Sequence, residues 1–482
     1  MRELIAECEH FLRSGQISSV ASRLRGINLP RVPRAFRLPL ANVCRRAGLF
    51  TSGLRLLTPL VHPDRRSARA PITTEELSEY AVLLMKIGSL NEAIDLLQGV
   101  ELKDEPRSLL YLGFCHMNQW EYARASELLK RYLDVAEDPY LAMIAEVNLA
   151  ASLMYSAQTD EALVRLEKAI EEVEKAGYLR LLANLLELRA QLSLIANRDS
   201  HCASDIDRAV QILRSQSTND QLYLLKWQAV LQSRHTQCIS PLLEFQVTAR
   251  KRQDWESVRE ADFQILKLTF EDHRYSHLYF GSPWPEFRRR LESHFGKVAS
   301  DAYTWGGRRG GDIDLDLTTG LSRNTGETCP PKILHMLRSL LSDFYAPLRP
   351  GTLFSQVFPG ERFHVLHSPN RIHQLLWRTR TWLKSQGIAA TIDEDGGRFL
   401  VRATGPVGIQ MEPSLPGDGA ALCLLRRTFD TEFSSRQAQL TLNASEAKVR
   451  RLIQKGLEQG EVEKLRSGRN ITYRFRPLPR PA

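Results

Sequence analysis

The chain has 482 residues, 43% of them apolar and 25% charged, the make-up of a globular protein with room for two to four domains. No run of eighteen apolar residues occurs, which argues against a membrane-spanning helix. The net charge of +9 conceals a polarity: residues 71–200 hold 12 Lys/Arg against 22 Asp/Glu, residues 331–482 hold 23 against 13, and residues 1–70 hold 13 against 4. A basic end of this kind suits a polyanionic partner such as nucleic acid.

The start, "MRELIAECEHFLRSGQ", is charged and amphipathic rather than an apolar leader, and a cytoplasmic protein is expected. Seven cysteines, at 8, 44, 115, 202, 238, 329 and 423, form no CxxC and are odd in number. They read as reduced, buried thiols rather than as a zinc site or a disulfide framework.

From residue 1 to about 270 nearly every segment has helical periodicity, and a small residue recurs twelve positions after another. The pairs are Ala41 and Gly53, Ala81 and Ala93, Gly113 and Ala125, and Ala150 and Ala162. Two antiparallel helices pack closely only where small side chains meet, and a short turn fixes the register between those points. Leu84, Leu97, Leu128, Leu129, Leu153 and Leu166 are expected to fill the core between units. Ala190 and Ala209 read as a further pair with seven residues inserted, and Ala229 with "RKRQDWESVREADFQIL" as at least one more unit.

This half resembles the tetratricopeptide repeat family, although the family's tryptophan and proline positions are mostly lost and the units start 32 to 40 residues apart. The resemblance implies an α-solenoid whose concave groove holds a protein or peptide partner.

Residues 271–311 are rich in aromatics, Pro and Gly, and read as a linker carrying one short helix in "SPWPEFRRRLESHF". "WGGRRGG" at 305–311 is the clearest breaker cluster and marks the main domain boundary. His273 and His277 have the i, i+4 spacing of a metal pair, but no carboxylate or thiol motif accompanies them, so a surface pair is expected.

In "GDIDLDL" the alternation of Asp312, Asp314 and Asp316 with Ile313, Leu315 and Leu317 predicts one strand with the three acids on its wet face, not a calcium loop. A helix starting near Pro331 follows, with Ile333, Leu334, Leu337, Leu340 and Leu341 inward, then a short helix in "RPGTLFSQVFPG". A third helix is predicted, capped by Ser368, with Ile372, Leu375, Leu376, Thr379, Trp382 and Leu383 buried. A hairpin closed by Asp395-Gly396-Gly397 comes next. Strand, three helices and hairpin over about 313–403 resemble the response-regulator (OmpR-type) winged helix. In that family the third helix lies in the major groove of DNA. The resemblance implies a recognition role for Asn370, Arg371, Gln374 and Arg378, flanking contacts by Arg380 and Lys384, and wing contacts by Arg398 and Arg402. Two departures stand: the acids of "DEDG" at the wing tip repel phosphate, and Trp377 is bulky for a groove-facing position.

Residues 404–429 read as a linker with a few strand residues. Beyond it, a helix over 435–440, the turn "TLNA" and a helix capped by Ser445 are predicted, the last with Val449, Leu452, Ile453 and Leu457 inward. Lys448, Arg451 and Lys455 fall outward, Gly460 stops the helix, and a basic hairpin turns at Ser467-Gly468 between Arg466 and Arg469. "LEQGEV" and its surroundings resemble the compact winged helix of bacterial repressors, which implies a second DNA-reading module.

No GxxxxGK[ST], GxSxG or HExxH occurs, so enzymatic activity and a bound cofactor are not expected. The expected fold is mostly α: a repeat solenoid over 1–270, a linker over 271–311, an OmpR-type winged helix over 312–411 and a second winged helix over 412–482. The expected function is that of a DNA-binding transcriptional regulator, acting on duplex DNA as monomer or homodimer. The other reading open at this point is a scaffold whose modules all bind protein.

Overall fold

The small residues spaced twelve apart are the contact points of successive antiparallel helices in a computed structural model of the chain. The structure describes every residue except 14–15, 63–70, 101–104, 215–219, 298, 300–301, 306–312, 412–421, 423–424, 427–428, 430, 443–445, 459, 468–469 and 477–482. For 13, 447–448, 466–467 and 470 it describes the backbone alone.

The helices begin with α1 (Arg2–Arg13), α2 (Ile17–Arg25), α3 (Arg34–Arg46), α4 (Phe50–Val61), α5 (Thr74–Ile87) and α6 (Leu90–Gln98). They continue through α7 (Arg107–Asn118), α8 (Tyr122–Leu133), α9 (Pro139–Tyr155), α10 (Thr159–Ala176), α11 (Leu179–Ile195) and α12 (Asp199–Leu213). α13 (Asp220–Thr236), α14 (Ser240–Lys251), α15 (Trp255–Leu268) and α16 (Asp272–Phe280) complete the run. α1 packs on α2 and α3, each helix from α3 to α14 packs on its successor, and α3 also meets α5, α5 meets α7, α9 meets α11, α11 meets α13 and α13 meets α15, which is how a stack of repeats shares one core.

One turn explains the offset of twelve. The first helix of each pair ends on a single residue with positive φ: Gly48 (75°), Gly88 (92°), Trp120 (61°) and Ala157 (60°). Each lies seven positions after the first small residue and five before the second. The next amide closes the turn on the carbonyl five residues back: Leu49 N to Cys44 O at 2.7 Å, Ser89 N to Leu84 O at 3.0 Å, Glu121 N to His116 O at 2.9 Å and Gln158 N to Leu153 O at 2.9 Å. That bond and a left-handed residue define the Schellman ending of a helix. A methyl group at Gly53 would come 2.9 Å from Leu83 Cδ1, and one at Gly113 would come 3.1 Å from Leu129 Cδ2.

The same turn corrects the reading of Ala190 and Ala209. Only residues 196–198 separate α11 from α12, and the left-handed Asn197 (φ 56°) stands seven after Ala190. The residue twelve after Ala190 is Cys202, fully buried, so the helices join without an insertion. Cys202 escaped notice because it is a small apolar residue of a type outside the Ala/Gly pattern. Gln237 and Gln253, also left-handed, end α13 and α14 in the same manner.

The chain divides into two compact units. The first comprises Met1–Leu278 with Tyr345–Arg378 and Asp393–Leu400; the second comprises Tyr279–Phe344, Thr379–Ile392 and Val401–Ala482.

In the first unit a short helix of the later sequence, taken up below as α19, packs on α5 and α6. The core between repeats is formed by Leu109, Leu129, Leu149, Leu153, Leu166, Leu185 and their neighbours, all buried. Tyr345 reaches α15, donating its hydroxyl to Asp262 at 2.7 Å, with the Arg259 guanidinium over its ring at 5.0 Å.

In the second unit α17 (Pro285–Phe295) starts on a proline, as expected, and precedes a four-stranded sheet. The sheet joins β1 (Ala302–Trp305), β2 (Leu315–Asp316), β3 (Leu321–Ser322) and β6 (Val407–Gln410) in the order β1-β6-β2-β3. β6 runs antiparallel to β1 (Tyr303↔Ile409) and parallel to β2 (Leu315↔Ile409). The residues read as linker on either side therefore supply an edge strand, β1, and a central strand, β6, of one sheet. "WGGRRGG" lies, apart from Trp305, outside the described residues.

The wet-face reading of the aspartates is also corrected. Asp312 lies outside the described residues, but Asp314 accepts the Gly408 amide at 2.8 Å. Asp316, 8% exposed, accepts from the Thr318 amide (2.8 Å) and hydroxyl (2.7 Å) and the Thr319 hydroxyl (2.9 Å). A two-residue strand is too short for period two to govern, and the free amides of the following turn claim the carboxylate instead.

α18 (Pro331–Leu340) buries Ile333, Met336, Leu337 and Leu340. α19 (Pro350–Val357) and α20 (Ser368–Ser385) follow, then the hairpin of β4 (Ala390–Asp395) and β5 (Arg398–Ala403). Gly396 (φ 55°) and Gly397 (φ 72°) make its turn, where two successive positive φ values are required. The last elements are β7 (Glu432–Phe433), α21 (Ser435–Leu442), α22 (Glu446–Glu458), β8 (Val462–Ser467) and β9 (Asn470–Phe475), with sheet order β7-β9-β8. Their core is Leu422, Leu425, Phe433, Ala438, Val449, Leu452, Ile453 and Val462. Strand β7 was not foreseen.

Candidate nucleic-acid interface

α20 forms because its apolar residues fall on one side at helical spacing. Ile372, Leu375, Leu376, Thr379, Trp382 and Leu383 are all buried. Its start differs from the expected cap: Ser368 is 2% exposed, and its hydroxyl turns back to accept the His364 amide at 2.8 Å. Between Ser368 and Ser385 the helix carries no acidic residue.

In the first unit, Asn370, Gln374, Trp377 and Arg378 are exposed. Asn370, Gln374 and Trp377 share one face by the 3.6-residue period, with Arg378 on its flank. Trp377 is 66% exposed and stands in the middle of that face. Its spacing of seven from Asn370 and three from Gln374 puts it on their side of the helix, although it is bulky for a groove-facing position.

Arg371 departs from its expected part. Its guanidinium pairs with Glu361 at 2.6 Å and lies over the Phe358 ring at 4.1 Å. Its hydrogen bond to Glu361 raises its pKa further. These contacts tie α20 to residues 358–361, while the side chain stays about half exposed. Arg398 is half-buried and near enough to Arg349 that the two cations interact. Burial and then that neighbour lower the pKa of Arg349. Glu394 and Asp395 at the hairpin tip are exposed.

In the second unit Arg380 is half-buried and donates Nε to Ile392 O at 2.9 Å, tying helix to strand. That bond competes with a phosphate contact. Lys384 and Arg402 are exposed. On α22, Val449, Leu452 and Ile453 are buried and Arg451 and Lys455 are exposed. The helix stops at Gly460 (φ 71°), where Glu461 N closes on Gly456 O at 2.9 Å. The side chains of Lys448 and Arg466, and the whole of Ser445, Gly468 and Arg469, lie outside the described residues. On the hairpin, Arg474 pairs with Glu463 at 2.6 Å across strands β8 and β9. Glu463 precedes the acid-free stretch from which the basic wing was read, and so was left out of that count.

His277 sits edge-on to the Tyr345 ring, centroids 5.3 Å apart, and burial lowers its pKa to about 4. It is a half-buried packing residue rather than the surface histidine expected. Among the described residues no group of three or more His, Cys, Asp or Glu is placed to hold a metal ion. Nor is any helix among them long and apolar enough to cross a membrane.

No family model and no curated protein matches the chain. Among solved structures it is similar to a tetratricopeptide repeat protein from Parabacteroides merdae. That match has 17% identity and a TM-score of 0.33, and covers 60% of this chain and 96% of that one. It is also similar to a Rap protein complexed with Competence and Sporulation Factor, at 11% identity and a TM-score of 0.35, over 58% of this chain and 80% of that one.

Proposed function

We propose that the chain is a DNA-binding transcriptional regulator. Its helical repeats take a protein or peptide partner, and its two small α+β modules act as winged helices on duplex DNA. The single observation that carries this reading is the outward face of α20. Asn370, Gln374 and Arg378 are exposed there on a helix without an acid, and a hairpin follows at once. Amide side chains at helical spacing suit base edges, and a guanidinium suits guanine or phosphate. α22, with Arg451 and Lys455 exposed and the β8–β9 hairpin after it, repeats the arrangement.

The expected set of DNA contacts is narrowed to exposed side chains on α20 and α22. Arg371 and Arg380 serve as positioning residues, because each is engaged by its own chain. Asn370, Gln374, Arg378 and Lys384 on the first module, and Arg451 and Lys455 on the second, are the contacts we assign.

The test is equilibrium binding of the full chain to a 30-bp duplex as salt rises from 50 to 200 mM. A protein holding six or more phosphates loses about a thousandfold in affinity over that range. Arg378→Ala and Arg451→Ala, measured separately, each flatten the salt slope by about one. A chain that retains no duplex at 50 mM salt is not a DNA-binding protein. The second reading, a protein-binding scaffold, is favoured by Glu394 and Asp395, whose exposed carboxylates face whatever approaches the hairpin tip.

A further inference from the structure

Trp377 is the large apolar residue of the α20 face that the proposed function leaves unused. We propose that it is a specificity-determining residue, and that its indole docks on the C5-methyl of a thymine in the major groove of duplex DNA. This rests on the DNA-binding reading above and names what the first module prefers.

The position argues for a base edge. Ile372, Leu375 and Leu376 are buried in the core, whereas Trp377, a larger apolar side chain on the same helix, is 66% exposed. Asn370 and Gln374 precede it by seven and three residues on its own face, and both are exposed. An amide side chain pairs in bidentate fashion with adenine, and the one apolar feature on any base edge in the major groove is the thymine methyl. Gln374 and Trp377 are about 4.5 Å apart along the helix axis at 1.5 Å per residue, close to one base-pair step. An amide for adenine beside an indole for thymine is thus a matched pair for A·T-containing steps.

The surroundings argue against a protein partner at this face. Trp377 is the only large apolar side chain exposed along α20, so no contiguous apolar patch is offered to a protein there. Its neighbours here are two amides and Arg378, with no acid between 368 and 385. That combination complements a polyanion with scattered methyl groups.

The experiment compares two duplexes that differ only in that methyl: alternating dA·dT and alternating dA·dU, each bound to the full chain at 50 mM salt. The expected result is tighter binding of the thymine duplex by about fourfold for each methyl buried. Trp377→Ala should bring the two affinities together while leaving the salt dependence in place. Because Trp377 is exposed, that variant keeps its fold, and Trp377→Phe restores part of the ratio. Equal affinities for the two duplexes in the unaltered chain overturn this inference alone, as does a ratio that survives Trp377→Ala. Binding to neither duplex overturns it together with the DNA-binding reading.

Discussion

At the scale of single residues, the repeat turn is the most informative feature. Its left-handed position is a glycine at 48, 88 and 177 but Trp120, Ala157, Asn197, Gln237 and Gln253 at other turns of the repeats. A side chain there costs energy because its Cβ crowds the following carbonyl. Ala157 is exposed and can lose its methyl without loss of packing. Ala157→Gly should therefore stabilise the chain by about 0.5–1 kcal/mol, seen as a higher urea midpoint at unchanged slope. Gly88→Ala runs the other way, since φ is 92° and its Cβ would fall 2.0 Å from Thr352 Oγ1. Arg371 makes a second contrast at this scale. Its ion pair with Glu361 is half-exposed, so Arg371→Ala should change stability by under about 1 kcal/mol. Its effect on DNA affinity should be smaller than that of Arg378→Ala, which titration of both variants with one duplex would decide.

At the scale of elements, the seat of α19 on α5 and α6 depends on backbone contact rather than on charge. A Cβ at Gly351 would stand 2.5 Å from Ile87 O, so only glycine lets the two helices approach this closely. Arg349 donates to Lys86 O, and the Phe363 amide donates to Glu92 at 2.8 Å. Burial raises the pKa of Glu92, against the pull of that hydrogen bond. Gly351→Val should cost about 1–3 kcal/mol, because the opposing atom is a carbonyl that cannot swing aside. Hydrogen exchange should then quicken in residues 350–357 first; unchanged protection there would show that α19 is held by something else.

At the scale of the whole molecule, residues 345–378 belong to the same compact unit as the repeats. A fragment beginning at residue 312 lacks the α5–α6 ridge and should lose protection in α19, so binding is best measured on the full chain. Part of the pH dependence follows from His277, whose pKa is lowered by burial from 6.5 to about 4 in the folded chain. The unfolded state then binds the extra proton first. Stability is full above pH 6.5 and declines as pH falls toward 4, by roughly 1–3 kcal/mol. His277→Phe should flatten that part of the profile in unfolding curves at pH 4.5, 5.5 and 7. Helices, their turns, the buried stripes of α18, α20 and α22 and both hairpins were legible in the sequence. They depend on interactions between residues one to five apart, and periodicity and turn chemistry record those directly. The outward positions on α20 were legible for the same reason, Trp377 included. What only the tertiary structure decided is which distant segments meet. β1 pairs with β6 a hundred residues on, α19 sits on the ridge of α5 and α6, and Glu361 and Phe358 hold Arg371. Those choices depend on the fit of surfaces that exist only after the helices have packed, and no local spacing carries that information.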